Sequence, residues 1–197
     1  MRPDFPMDRS AMVTAAEQGR DTRARLMDAA IAMIDEHGWG AVTTRLVAER
    51  AGVRAGLVHY HFRSVDDLLI DAAVRMVRGL VENMAGAASG DPVTALLASI
   101  AGFDDAAETR VFGEILLAAS RRDRLRAGLA DVLTEFRAGL ADRLRADSAV
   151  PDPEAAAAVL VAALDGLVLH RLIDPNIRAL DFGPALRRLA GAGQETP

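Results

Sequence analysis

Basic and hydrogen-bonding residues recur at short intervals over residues 42–69. Arg45 and Arg54 each carry a planar guanidinium, whose fork of donors fits a phosphate or the edge of a guanine. His59 and His61 are two positions apart, so on a helix their rings would point about 200° apart. Two histidines that chelate a metal from one helix need a spacing of three or four. The segment therefore favours contacts with a nucleic acid, and we expect no metal site there.

Catalytic chemistry has little to build on in the rest of the sequence. Asp165 and His170 lie five residues apart on one apolar segment, and such a pair gives no argument for general acid–base catalysis. The sequence contains no cysteine, and we find neither a nucleophile elbow nor a glycine-rich phosphate loop. We therefore predict no catalytic residue, no metal and no cofactor, and we do not expect an enzyme.

Two short helical patterns meet at residues 51–53 and would position the polar side chains. Thr43 or Thr44 can cap the second helix, and Gly52 allows the tight turn that follows it. A first helix is predicted from Thr22 to Gly38, and a third over about residues 54–62. The inward positions of the third helix are Leu57 or Val58, and Phe62. This is the outline of a helix-turn-helix, which can place one helix in the major groove of DNA.

Composition agrees with an all-α protein that reads DNA through a local surface. Of the 197 residues 51% are hydrophobic and only 4% are aromatic, as is common for globular helical proteins. The net charge of −5 argues against a uniformly basic protein, but a DNA reader needs only one basic face. No basic segment followed by an apolar one marks a secretory signal, so we expect a cytoplasmic protein.

The most apolar stretch, residues 155–169, has Asp165 as its only charge. A membrane span needs about 20 apolar residues, and this run is shorter and is closed by His170 and Arg171. We therefore predict a buried helix and no membrane association. A helix that is apolar all round must be covered all round, in part by a second copy of the chain. The predicted dimer contacts, which include a short helix after Pro184, are Leu160, Leu164, Val168, Leu186 and Leu189.

Residues 22–69, here called the head, resemble the TetR family of bacterial transcriptional regulators. The most specific pieces are Thr44-Arg45, Ala48-Glu49-Arg50-Ala51-Gly52-Val53, Tyr60-His61-Phe62, and Ser64 followed by Leu68-Leu69. The resemblance implies an all-α fold of about nine helices: a helix-turn-helix domain over residues 21–66 and a ligand-binding and dimerisation domain over residues 67–197. Residues 1–20 are expected to form a flexible arm. The resemblance also implies a homodimer that binds a pseudo-palindromic, double-stranded operator. The dimer would release the operator when a small molecule enters the larger domain.

Carried over by position, the DNA contacts of the family fall on the start of helix two and on helix three. Thr44 and Arg45 would face phosphate and base, and Arg54 would open the recognition helix. Arg63 would add a phosphate contact after that helix. The predicted DNA-binding residues are Thr43, Thr44, Arg45, Arg54, Ala55, Gly56, Leu57, His59, Tyr60, His61 and Arg63.

The small-molecule effector implied by the resemblance would meet a mainly apolar pocket. The candidate lining residues are Met76, Met84, Phe103, Phe112, Leu116, Phe136, Leu167 and His170. Each apolar member is also an ordinary core residue at helical spacing, and for His170 packing in the core or in a dimer competes with ligand contact. An alternative function is a helical homodimer with an enzymatic or protein-scaffolding role that uses the head only as a fold.

Overall fold

The computed structural model describes residues 9–86, 92–102, 106–146 and 150–190. Within these ranges it contains nine α-helices, two short 3-10 helices (Trp39–Ala41 and Pro175–Ala179) and no strand, which confirms the predicted all-α class. The α-helices are α1 (Arg9–His37), α2 (Thr44–Arg50), α3 (Ala55–His61), α4 (Val65–Gly86), α5 (Pro92–Gly102), α6 (Ala106–Ala119), α7 (Asp123–Arg145), α8 (Pro153–His170) and α9 (Gly183–Leu189).

The chain divides into two compact units, Met1–Ala72 and Ala73–Pro197. The division falls inside α4, a few residues after the boundary that the sequence suggested between residues 66 and 67. The first turns of α4 belong to the first unit, and they supply Leu68, Leu69 and Ala72 as buried side chains. The first unit therefore consists of three helices and the beginning of a fourth.

Helix α1 begins at Arg9, well before the start predicted at Thr22. Residues 9–20 are thus helical, which corrects this part of the predicted arm, and residues 1–8 lie outside the described ranges. The stretch lacks an apolar repeat, but residues 9–18 contain neither glycine nor proline and include alanines, which favour helix. Extension of an existing helix is far easier than its nucleation, so α1 continues through this sequence.

Each helix of the first unit buries apolar side chains. Leu26 and Ile34 of α1, Val47 of α2 and Val58 of α3 are fully buried. Leu57, the other candidate for the inward position of α3, is 40% exposed. Val58 therefore faces the core, and the neighbouring positions of α3 are left at the surface.

The turn between α2 and α3 is a glycine-terminated helix end. Gly52 has a φ of 64°, in the left-handed region that glycine adopts most readily. Its N–H donates to the carbonyl of Glu49 at 3.1 Å, and the N–H of Val53 donates to the carbonyl of Ala48 at 2.9 Å. These two bonds form a Schellman motif, which satisfies the last carbonyls of α2 and sets the direction in which α3 leaves.

In the second unit, α7 and α8 are close neighbours. Leu140 and Leu144 of α7 and Ala157, Leu160 and Leu164 of α8 belong to one buried cluster. The start of α8 is capped by the carboxylate of Asp152, which accepts from the N–H of Ala155 at 3.0 Å. Leu160 and Leu164 of α8 thus pack in the core of the second unit.

Helix α8 corrects the predicted dimer contacts. Leu160, Leu164 and Val168 are buried inside the second unit, as is Leu186 of α9, so these side chains are not available at the surface of the single chain. Only Leu189 of the predicted set, at 53% exposed, is available at the surface. Because α8 is apolar on every side, its sequence does not show which face turns inward.

Among the described helices, α8 is the one that is long and apolar enough to cross a membrane, with a mean hydropathy of 1.5. Length and composition alone do not separate a membrane span from the core helix of a globular domain. Leu160 and Leu164 are buried within the second unit, which agrees with a core helix.

Candidate nucleic-acid interface and ligand cavity

The residues predicted to contact DNA lie at the surface, from the residue before α2 to the residue after Phe62. All of them are exposed except Thr44 and His61, which are half-buried. Tyr60 is 81% exposed, although a tyrosine usually buries much of its ring. The fold therefore leaves an aromatic side chain and its neighbours free for contact with a partner.

The first turn of α2 sets the positions of two of these residues. The Thr43 side chain accepts a hydrogen bond from the N–H of Leu46 at 3.3 Å, so Thr43, rather than Thr44, is the cap. The buried side chains of α2 are Val47 and Ala48, and Arg45 is exposed. The cap and the buried residues together hold Arg45 at the surface.

The six arginines of residues 23–63 divide into a paired and an unpaired set. Arg23, Arg25 and Arg50 bind within the unit, to Asp71 (2.6 Å), the Ala51 carbonyl (2.6 Å) and Glu36 (2.5 Å) respectively. Arg45, Arg54 and Arg63, here called the unpaired arginines, are exposed and have no hydrogen bond or ion pair with any described residue. A guanidinium without an internal partner has no bond to give up before it binds a phosphate.

The unpaired arginines lie in a locally positive segment of an acidic chain. Residues 39–64 contain four arginines and one acidic residue, Glu49, whereas the whole chain has a net charge of −5. The fourth arginine, Arg50, is neutralised by Glu36. The excess positive charge is therefore carried by the unpaired arginines, and a local basic face of this kind attracts a polyanion.

Arg23 contacts Phe62, the C-cap residue of α3, from the buried side of the helix. The guanidinium of Arg23 lies over the ring of Phe62, 4.7 Å from its centroid, and also pairs with Asp71. Next along the chain, Ser64 caps α4: its oxygen accepts from the N–H of Asp67 at 3.0 Å. Anchors on both sides of Arg63 thus hold this residue at the surface.

Tyr60 and His61 contact each other at the exposed end of α3. Their rings meet edge to face, with centroids 5.0 Å apart. Such a contact restricts the rotamers of both side chains, so their polar atoms are held in place before any partner arrives.

Comparison with known proteins identifies the family. The family described as "Bacterial regulatory proteins, tetR family" matches residues 26–74, and "Tetracyclin repressor-like, C-terminal domain" matches residues 67–192. The chain belongs to the TetR family. The resemblance that the head suggested is confirmed, and the second match extends it to the second unit.

Similar proteins include a named transcriptional regulator and two solved structures of the same fold. The HTH-type transcriptional regulator BetI from Rhizobium meliloti is 31% identical over 172 residues, covering 83% of this chain and 84% of BetI. A TetR-family member from Streptomyces coelicolor A3 has a TM-score of 0.71 at 29% identity, covering 86% of this chain and 98% of that one. A protein from Saccharomonospora viridis, whose structure contains choline, shares the fold, with a TM-score of 0.71 at 20% identity, covering 86% of this chain and 95% of that one. The protein is thus a DNA-binding transcriptional regulator and not an enzyme.

In this TetR-family protein, two neighbouring cavities lie within the second unit. The larger has a volume of about 250 Å³ and lies between α4, α5 and α7. The smaller, of about 30 Å³, lies between α4, α6, α7 and α8. Val81, Met84 and Phe136 line both cavities. These three side chains therefore form the partition between the two spaces.

The predicted pocket residues agree only in part with these cavities. Met84, Phe112 and Phe136 line one or both of them. Met76, Leu116, Leu167 and His170 line neither, and Phe103 lies outside the described residues. His170 is exposed, and Leu167 packs against the buried cluster of the second unit.

Asp165 is a cavity residue that the sequence analysis did not select. It lines the smaller cavity, whose other lining residues are all apolar. Burial raises the pKa of Asp165 to about 6, because a desolvated carboxyl group disfavours its charged form. It has no hydrogen bond or ion pair with any described residue. The signal in the sequence was its position as the only charge in residues 155–169.

Proposed function

We propose that the protein is a homodimeric repressor that binds a pseudo-palindromic operator and leaves it when a small, mainly apolar effector enters the second unit. The observation that carries the DNA contacts is the set of unpaired arginines on an exposed helix-turn-helix. The general role of the protein as a transcriptional regulator follows from its membership of the TetR family. The residue roles, the dimer and the effector are the proposal.

Within the proposed interface, the side chains divide by chemistry. Arg45 and Arg54 can each bind a guanine edge or a phosphate through two parallel hydrogen bonds. Arg63, beyond the end of α3, is assigned to a phosphate. Ala55 and Gly56 are exposed and small, so they let the backbone of α3 approach the groove closely. The remaining contacts are assigned to Thr43, Thr44, Leu57, His59, Tyr60 and His61.

A second copy would cover the outward face of α8. Ala155, Val159, Ala162 and Gly166 recur there at helical spacing; the first three are exposed, and open space surrounds the position of a side chain at Gly166. Ile173, 82% exposed, follows the helix. An exposed apolar face of this kind fits an interface between two identical chains. This surface replaces the inward-facing set that the sequence suggested.

The proposed dimer can be tested by placing a large charge on that face. Ala162→Arg should convert the dimer to a monomer in analytical ultracentrifugation without loss of helical content, because the side chain is exposed in the single chain. Ala130→Arg, at an exposed position of α7, is the matched control and should remain dimeric. A dimer that survives Ala162→Arg would exclude this face as the interface.

The larger cavity supports an effector site. Its volume of about 250 Å³ is close to the lower end of small-molecule sites, roughly 300–1,000 Å³. The Saccharomonospora viridis protein holds choline, which is a small ligand in a protein of the same fold. In the proposed mechanism, ligand binding favours a dimer conformation whose heads no longer match half-sites about 34 Å apart.

The experiment that tests the proposed function is selection of DNA fragments from a random pool by the purified full-length protein. We expect enrichment of an inverted repeat, because a two-fold symmetric dimer reads two identical half-sites. Arg45→Ala and Arg54→Ala proteins should enrich weakly or not at all. A folded wild-type protein that enriches no sequence, or a single unrepeated half-site, would contradict the proposal.

A further inference from the structure

The smaller cavity presents a carboxylate without a partner to an otherwise apolar space. Asp165 faces Val77, Leu80 and Phe112 among other apolar lining residues. Asp165 is half-buried, and a carboxylate that is partly shielded from water and lacks hydrogen bonds and counter-charge is unfavourable, so proteins normally pair such groups. Since no described residue pairs with Asp165, a partner would have to come from outside the chain.

The volumes of the cavities limit what that partner can be. The smaller cavity, about 30 Å³, accommodates a group about the size of a water molecule or an ammonium. The larger cavity, on the other side of the partition, can take an apolar body. Met84 is a partition residue with an unbranched, flexible side chain, which can change rotamer to join the two spaces.

The charges of the larger cavity also favour a cation. Its ionisable lining residues are Glu82, Glu135 and Arg143. Glu135 is paired with Arg78 at 2.8 Å, and Glu82 is exposed. Together with Asp165, the two cavities contain three acidic side chains and one basic side chain. An anionic ligand would be repelled by Asp165, and a neutral apolar ligand would leave that carboxylate unpaired.

We propose that the second unit binds an apolar molecule with one protonated amine, whose ammonium pairs with Asp165 while its apolar part occupies the larger cavity. A charge-assisted hydrogen bond in a site shielded from water is among the stronger polar contacts, so it selects for the amine. The inference rests on the proposed function only in that it assigns the chemical class of the effector. Binding of the amine can be measured whether or not DNA is present.

The test uses hexylamine, hexanol and hexanoate, which share a chain length and differ in charge at one end. Calorimetric titration of the full-length protein near neutral pH should show hexylamine binding at least about tenfold more tightly than hexanol, with hexanoate weakest. Asp165→Asn keeps the side-chain shape and should remove the preference for hexylamine, while hexanol binding changes less than about twofold. Asp131→Asn, on the exposed part of α7 and outside both cavities, should behave as wild type.

The wild-type series decides the matter even if the Asp165→Asn protein fails to fold. Equal binding of amine and alcohol, or no binding of any of the three, would overturn the inference. Binding of a selected operator fragment is measured on the same preparation. If the operator is bound but the amine is not preferred, the amine inference fails and the proposed DNA-binding function stands. If hexylamine binds through Asp165 and the operator is bound but not released, the ligand class stands and the proposed release mechanism fails.

Discussion

The two candidate sites of this protein use charge in opposite ways. On the helix-turn-helix, Arg45, Arg54 and Arg63 are exposed, carry positive charge and lack internal partners. In the second unit, Asp165 is a single carboxylate among apolar side chains. Exposed charges act over a distance and are weakened by salt, whereas a buried charge acts at contact and is sensitive to desolvation. The helix-turn-helix surface is thus suited to a polyanion, and the cavity at Asp165 is suited to one small cation.

The largest expected effect comes from the core that supports the exposed charges. Phe62→Ala should lower the free energy of unfolding of the first unit by roughly 3–5 kcal/mol, because it removes a buried ring at the end of α3. Leu57→Ala, on the exposed side of the same helix, should cost far less. Urea unfolding monitored by circular dichroism measures both. A cost for Phe62→Ala as small as that for Leu57→Ala would mean that the two faces of α3 are wrongly assigned.

The next effect tests the buried charge through pH. The pKa of Asp165 is raised by burial from 3.8 to about 6, so the folded state holds its proton more tightly than the unfolded state. The contribution of Asp165 to stability is therefore full below pH 3.8 and is lost as pH rises through about 6.

Asp165→Asn should consequently gain stability relative to wild type as pH rises from 4 to 8, by at most about 3 kcal/mol, because the asparagine has no proton to lose. Thermal unfolding at several pH values measures the difference, with Asp131→Asn as the exposed control. A difference between Asp165→Asn and wild type that does not vary with pH would show that Asp165 is well solvated in the folded protein.

A smaller effect compares the unpaired and paired arginines on one helix. Arg45→Ala should weaken binding of the selected operator by about 1–3 kcal/mol and leave the melting temperature nearly unchanged. Arg50→Ala, also on α2 but paired with Glu36, should change operator binding little. Fluorescence anisotropy with a labelled operator provides the values. Equal losses for the two variants would remove the distinction between the two sets of arginines.

The sequence predicted which residues of the helix-turn-helix lie at the surface better than it predicted which residues line the cavities, for a physical reason. In the head, apolar residues recur every three to four positions, which marks the buried face of each helix. On α3 this face contains Val58, so the positions beside Val58 lie at the surface. Gly52 marks the turn because few other residues adopt its φ. These are local properties, and a short window of sequence contains them.

Helix α8 shows where local patterns fail. Leu160 and Val159 are adjacent and both apolar, yet the first is buried and the second is 46% exposed. Only the packing of α7 and the other helices decides between them. The cavity at Asp165 depends in the same way on the packing of four helices, α4, α6, α7 and α8. The start of α1 depends on helix extension rather than on apolar spacing.

The salt dependence of operator binding tests the central claim most directly. The logarithm of the association constant, measured against the logarithm of salt concentration, should fall linearly and steeply for the wild-type protein, since each phosphate contact releases counterions. Removing an unpaired arginine that contacts a phosphate, by Arg45→Ala, Arg54→Ala or Arg63→Ala, should reduce the slope by about 1, and Arg50→Ala should leave it unchanged. Slopes that are flat in the wild type, or equal in all five proteins, would contradict the assignment of this surface to DNA.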